Sequence, residues 1–194
     1  MSDFALHKAL IVTSSVKFFE SIKGLMPQRL FSDISLAVNI QEAKKTLMIS
    51  DISVVIINAP LSDGFGLDFA LETSAESPCA VLMFVKPEVY ENVAEKVADS
   101  GILTLQKPNS PAVVSQTLTL LWGAANRYRR YDENNRRLRS QVEELKLISR
   151  AKLMLMEQFG MTETQAHRYI EKRAMDSGQT KKLISESIIK SYAN

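Results

Sequence analysis

Between residues 118 and 149 there is no proline, and no glycine after Gly123. Over the same stretch Leu121, Ala124, Tyr128, Tyr131, Asn135, Leu138, Val142 and Leu145 recur at alternating spacings of three and four. This is a heptad seam, a narrow apolar stripe that one helix covers poorly and an identical helix beside it covers well. With Tyr128 at an a position, Asn135 and Val142 are also a, and Tyr131, Leu138 and Leu145 are d. β-Branched Val at a with Leu at d favours two parallel strands, and a polar a residue such as Asn135 can pair with its twin and fix the register. The predicted dimerisation set is therefore Tyr128, Tyr131, Asn135, Leu138, Val142 and Leu145, on a helix joining two unlike ends. The other reading of this stretch is the last helix of a domain, lying on its own core.

What those ends can be is bounded by composition. A chain of 194 residues, 45% hydrophobic and 24% charged, suffices for one domain of ordinary size and a small appendage. The single cysteine, Cys79, excludes an intramolecular disulfide and suits a reducing, cytoplasmic setting. Its first residues lack a basic, apolar leader, and no stretch approaches the roughly 18 apolar residues of a membrane helix, so neither export nor a membrane partner is expected. The charge is unevenly shared. Residues 1–122 carry 9 Lys/Arg against 13 Asp/Glu, a net −4, and residues 123–194 carry 15 against 9, a net +6. A basic far end points towards a polyanion.

From the start of the chain, short apolar runs alternate with stretches of helical spacing. Strands are expected over 9–12, 34–38, 54–57, 80–85 and 102–105. The first helix carries Val16, Phe19, Ile22 and Met26, and later helices carry Ala43 and Leu47, then 67–71, then Val89, Val93 and Val97. Five such strands in about 120 residues imply a parallel sheet covered on both faces. In sheets of that kind ligands gather at the carboxyl ends of the strands.

The residues at those ends carry a resemblance. Asn58-Ala59-Pro60-Leu61-Ser62-Asp63-Gly64 follows the third strand and Lys107-Pro108 the fifth, and with this strand order the first 120 residues resemble a response-regulator receiver, a flavodoxin-like fold. The resemblance implies an acidic pair after the first strand that holds Mg²⁺, an Asp ending the third strand that accepts a phosphoryl group, and a Lys that contacts the phosphate. Here the acidic pair is Thr13 and Ser14, and the acceptor is Asn58. The switch hydroxyl after the fourth strand falls at Val85, the mobile aromatic of the fifth at Thr104, and only Lys107 is kept. Two hydroxyls and an amide offer a hard cation no carboxylate, and an amide is a poor nucleophile towards phosphorus. A pseudo-receiver that is not phosphorylated is expected. Asp63 is the rival acceptor, although its Asp-Gly pair reads first as turn chemistry. Lys107 itself is expected to be solvated or paired with a loop carboxylate.

Beyond 148 the seam lapses. Ile148, Ala151, Leu155 and Phe159 continue a helix face that Gly160 stops. Thr162 with Gln165 reads as a capping box for a second helix bearing Ala166, Ile170 and Ala174, which Gly178 ends, and Thr180 caps a third. Residues 148–156, I-S-R-A-K-L-M-L-M, lie close to the pattern I-x-x-A-K-G-x-L-M of the ANTAR domain, the RNA-binding output module of transcription antitermination regulators. Residues 162–166 and 170–175 match its S-x-x-x-A and L-x-x-x-A-M, and Leu153 and Ile170 depart from it. The tail thus resembles an ANTAR domain.

That resemblance implies a dimer that binds hairpins in leader RNA so that an antiterminator forms. The predicted RNA-binding residues are Lys152, which matches the Ala-Lys pair, with Arg150, Arg168, Lys172, Arg173 and Tyr169. Tyr192 and His167 are further stacking candidates, each otherwise a packing residue. The expected layout is a pseudo-receiver over 1–120, a coiled-coil helix over 121–148 and an ANTAR domain over 149–194. With two histidines on opposite halves, no metal-ligand cluster and no Gly-rich phosphate loop, neither an enzyme, a metal nor a cofactor is called for. The alternatives are a protein-interaction adaptor and a DNA-binding response regulator whose receiver answers to a ligand, a sensor or another regulatory protein.

Overall fold

The computed structural model describes residues 7–192. Five parallel strands, β1 (His7–Val12), β2 (Phe31–Ala37), β3 (Val54–Asn58), β4 (Ala80–Val85) and β5 (Leu103–Gln106), form one sheet in the order β2-β1-β3-β4-β5. Helices α1 (Val16–Leu25), α2 (Ile40–Ile49), α3 (Leu67–Glu76) and α4 (Pro87–Val97) connect successive strands, and α5 (Pro111–Phe159) follows β5. Because alternate residues of a strand point to opposite faces, the central strands feed two cores. Leu10, Val12, Val55, Ile57, Val81 and Met83 meet Ala43, Phe69, Ala70 and Val93 on one side. Ala9, Ile11, Val54, Ile56, Leu82 and Phe84 meet Phe19, Ile22, Val114, Leu118 and Leu121 on the other. Burial on both faces is why these strands read as unbroken apolar runs rather than as alternating ones.

β2 begins at Phe31, three residues before the apolar run that announces it. It is an edge strand in which the exposed Ser32 and Asp33 separate the buried Phe31 from the later apolar run.

The chain divides into two compact units, one through Asp132 and one from Glu133. Helix α5 enters both, and its side chains serve three ends. Val114, Leu118, Leu121 and Ala125 are buried against the sheet. Tyr131, Leu138, Val142 and Leu145 are exposed, with Leu145 at 64%. Ala151 and Leu155 are buried with Ala166, Ile170 and Ala174 of α6 (Glu163–Ser177) and Ile184 and Ile188 of α7 (Lys181–Tyr192).

At the amino end of the expected seam the helix also faces the core of its own chain. Leu121 is buried, and Tyr128 is half-buried against the sheet-side core. The Tyr128 hydroxyl lies 2.6 Å from where a Cβ on Gly101 would stand. Positions 118, 121, 125 and 128 share one helix face, which is why Leu121 lies in this core and Tyr128 packs against it.

The three tail helices end and start as their sequence implies. Gly160 and Gly178 sit at φ +63°, where a side chain would be strained. Thr162 and Gln165 form a reciprocal capping box, and Thr180 Oγ1 accepts the Leu183 amide at 3.3 Å.

Candidate functional site

In this sheet order the ligand crevice lies outside the carboxyl ends of β1 and β3. Thr13 follows β1, Asn58 ends β3 and Lys107 follows β5, and the three are linked. The Asn58 Nδ2 donates to Thr13 Oγ1 at 3.0 Å, and Lys107 Nζ donates to Asn58 Oδ1 at 2.7 Å and to the Ala59 carbonyl at 2.6 Å. An ammonium can only donate, so the network itself dictates which end of the Asn58 amide faces Lys107. Thr13 is buried, and its Oγ1 also accepts the Ser15 amide at 3.1 Å.

The expected solvated or carboxylate-paired Lys107 gives way to one held by two neutral oxygens. Its pKa is lowered, first by burial and then by the charge of Lys86. Nothing here suits Mg²⁺, which wants anionic oxygens where this crevice supplies hydroxyls, an amide and a cation. Among the described residues no group of three or more His, Cys, Asp or Glu could hold a metal.

Asp63 stands apart from this network. Its carboxylate accepts the amides of Ile40 at 2.9 Å and Gln41 at 3.2 Å, and so caps the first turn of α2 alongside Asn39. Those amides hold its pKa below the usual carboxylate value. Val85 ends β4 fully buried and aliphatic, and Thr104 lies in β5 opposite Met83.

In the tail the predicted RNA-binding residues separate into two groups. Lys152, on α5, gives its ammonium to Glu163 at the start of α6 over 2.7 Å, and Lys181 gives its own to Glu171 over 2.5 Å. The lysines hold both glutamates below their ordinary pKa, with His167 adding to the effect. Arg173 donates to the Tyr169 hydroxyl at 3.0 Å and lies 5.8 Å over its ring. Arg150, Arg168 and Lys172 are exposed and make no ion pair among the described residues.

Arg168 and Lys172, one turn apart, line a groove of about 510 Å³ with Phe159, Met161, Gln165 and Tyr169. Phe159 was legible only as a helix-face residue. It is 52% exposed and stands edge-on to Tyr192 at 5.3 Å. The groove arises where α5 turns into α6, so its residues are gathered by a bend that no linear spacing displays.

Residues 136–189 match the ANTAR domain family, so the chain carries an ANTAR domain at its carboxyl end behind a domain with the receiver fold. The chain is 28% identical over 155 residues to the transcriptional regulatory protein PdtaR of Mycobacterium tuberculosis, an alignment covering 77% of this chain and 73% of that protein. Two solved structures show the fold of the amino-terminal part. The signal receiver domain of an HD domain-containing protein from Pseudomonas fluorescens Pf-5 aligns with a TM-score of 0.58 at 16% identity, over 69% of this chain and 96% of that one. The chemotaxis response regulator CheY4 of Vibrio cholerae aligns with a TM-score of 0.52 at 18% identity, over 60% and 99%. No helix among the described residues is long and apolar enough to cross a membrane.

Proposed function

We propose that the protein is a dimeric RNA-binding regulator that grips hairpins in leader RNA through its ANTAR domain and so favours an antiterminator. The observation that carries this is the tail groove, where Arg168 and Lys172 stand beside exposed aromatic rings without a carboxylate of their own. Cations there would meet phosphates, and rings would meet unpaired bases, which is how loops of RNA are recognised.

The dimer rests on Leu138, Val142 and Leu145, apolar at heptad spacing and exposed on one chain, with Asn135 at an a position between them and Tyr128. Two tails on one parallel coiled coil turn the second hairpin contact into an intramolecular one, raising avidity by roughly 10²–10⁴. The receiver-like domain acts without a phosphoryl group, since Asn58 is tied to Thr13 and Lys107 and Asp63 is spent on α2.

Gel shift of the full chain against leader RNA hairpins and against duplex DNA of the same sequence tests the reading. RNA preference is expected, and equal duplex binding contradicts it in favour of a DNA-binding regulator. Incubation with acetyl phosphate and Mg²⁺ should leave the intact mass unchanged, whereas a stable phosphoryl adduct on an aspartate would refute the silent receiver.

A further inference from the structure

The ANTAR family match leaves open where on the three helices a loop base would sit. Lys152 is the residue to which the motif points, yet its side chain is 18% exposed and its ammonium already faces Glu163 at 2.7 Å. Drawing it onto a phosphate would break that pair and leave Glu163 as a nearby repulsive charge. The elbow groove has the opposite character. Its cations, Arg168 and Lys172, have no carboxylate partner among the described residues, and its lining includes an exposed Phe159 and Tyr169.

Tyr169 is held rather than loose, because Arg173 fixes its hydroxyl and lies over its ring. Arg173 is not among the residues lining the groove, which leaves Tyr169 a groove-facing side. Gln165 adds a directional group. Its Oε1 accepts from the Thr162 amide at 2.8 Å and from the Thr162 hydroxyl at 3.2 Å. Its NH₂ is therefore fixed in orientation with donors to spare, at the wall of the groove. Gly160, at φ +63° with open space about its missing Cβ, lets a ligand approach the backbone at the bend.

Resting on the RNA-binding reading above, we propose that this groove is the seat of one unpaired RNA nucleotide. The base stacks on Tyr169 and Phe159, an acceptor on its edge takes a hydrogen bond from the Gln165 NH₂, and the flanking phosphates meet Arg168 and Lys172. Lys152 is a strap between α5 and α6 rather than a contact. A stacked ring tolerates any base, and the fixed donor favours bases with acceptors on the exposed edge.

The test uses the full chain with two RNA pools that share one stem, one closed by a randomised loop and one continued as uninterrupted duplex. Wild type should prefer the looped pool. Tyr169→Ala should weaken that binding about tenfold or more while Tyr169→Phe, which keeps the ring, stays within about twofold. Arg168→Gln with Lys172→Gln should reduce the slope of log affinity against log salt by roughly 1.4, at about 0.7 for each single-strand phosphate contact. Ultraviolet crosslinking of the wild type should join loop bases to the peptide holding Tyr169 or Phe159, a readout independent of whether a variant folds. Binding by Tyr169→Ala equal to wild type, or crosslinks confined to other peptides, would overturn the pocket and leave RNA binding standing. Equal affinity for the two pools would also overturn it. Failure of wild type to retain either pool would bring down both the pocket and the reading beneath it.

Discussion

The crevice of the receiver-like domain and the elbow of the tail are both basic sites, but their lysines are employed differently. Lys107 is drawn inward by Asn58 and the Ala59 carbonyl, and Lys152 by Glu163, so the two lysines that the family motifs single out are each committed within their own chain. Arg168 and Lys172, which no motif singles out, line a groove and have no acidic partner among the described residues. A motif reports which residue type a fold has kept, whereas availability for a ligand depends on what the neighbouring element places opposite it.

The largest effect that would break this contrast concerns the seam. Leu138→Lys with Leu145→Lys places four like charges in a two-stranded interface, and loss of pairing should lower hairpin affinity by roughly 10²–10⁴ without altering either core. Unchanged affinity by titration would mean that one tail suffices.

Next is the crevice. Lys107→Met leaves Asn58 Oδ1 and the Ala59 carbonyl without their donor, which should cost the receiver-like domain about 1–3 kcal/mol, nearer the low end because Lys107 is only partly buried. Denaturant unfolding measures this, and hairpin binding should not move. A loss of RNA affinity with stability intact would instead make Lys107 part of the interface.

A smaller effect is expected at Lys152. Its ammonium pairs with a Glu163 that is open to solvent, so the pair should contribute little to the stability of the tail, and Lys152→Ala should weaken hairpin binding less than Arg168→Gln with Lys172→Gln. The reverse order in a gel shift would return Lys152 to the interface.

The smallest is a difference in acid tolerance. His7 is buried with its Nε2 3.0 Å from Asn126 Oδ1, and burial, opposed by that bond and aided by Arg129, lowers its pKa. The unfolded chain then takes up a proton before the folded one. Stability of the receiver-like domain should therefore begin to fall as pH drops below about 6.5. Glu163 and Glu171 have lowered pKa values from their lysine partners. Their contribution is fully present above the ordinary glutamate pKa and is lost only as pH falls through the lower folded values. Melting curves across about pH 5–7, above the ordinary glutamate pKa and through the ordinary histidine one, should move for the receiver-like domain and stay still for the tail. A joint shift would contradict this assignment.

Much of the fold was legible because its signals are local. Buried strands such as Val54–Asn58 and Ala80–Val85 are continuous apolar runs, and the Thr162–Gln165 capping box and the stop at Gly160 depend on residues within one turn of each other. What escaped depends on pairs far apart in the chain. Asp63 was recognisable as a turn residue, but that its carboxylate caps α2 needs residues 22 and 23 positions away. Tyr128 satisfies the heptad period, yet its burial is decided by the sheet and by Gly101. The Lys152–Glu163 strap joins residues 11 apart on two different helices, across the bend at Gly160, so the period of neither helix displays it. Phe159 is apolar and so reads as core, although its place at the last residue of α5 leaves it half uncovered.

If paired chains present two basic tails to one folded transcript, sedimentation equilibrium of the full chain with and without an excess of hairpin RNA will reveal the pairing. A mass of two chains bound to RNA is expected, with the Leu138→Lys, Leu145→Lys form reduced to one. A single chain at every concentration, with hairpins present in excess, would contradict it.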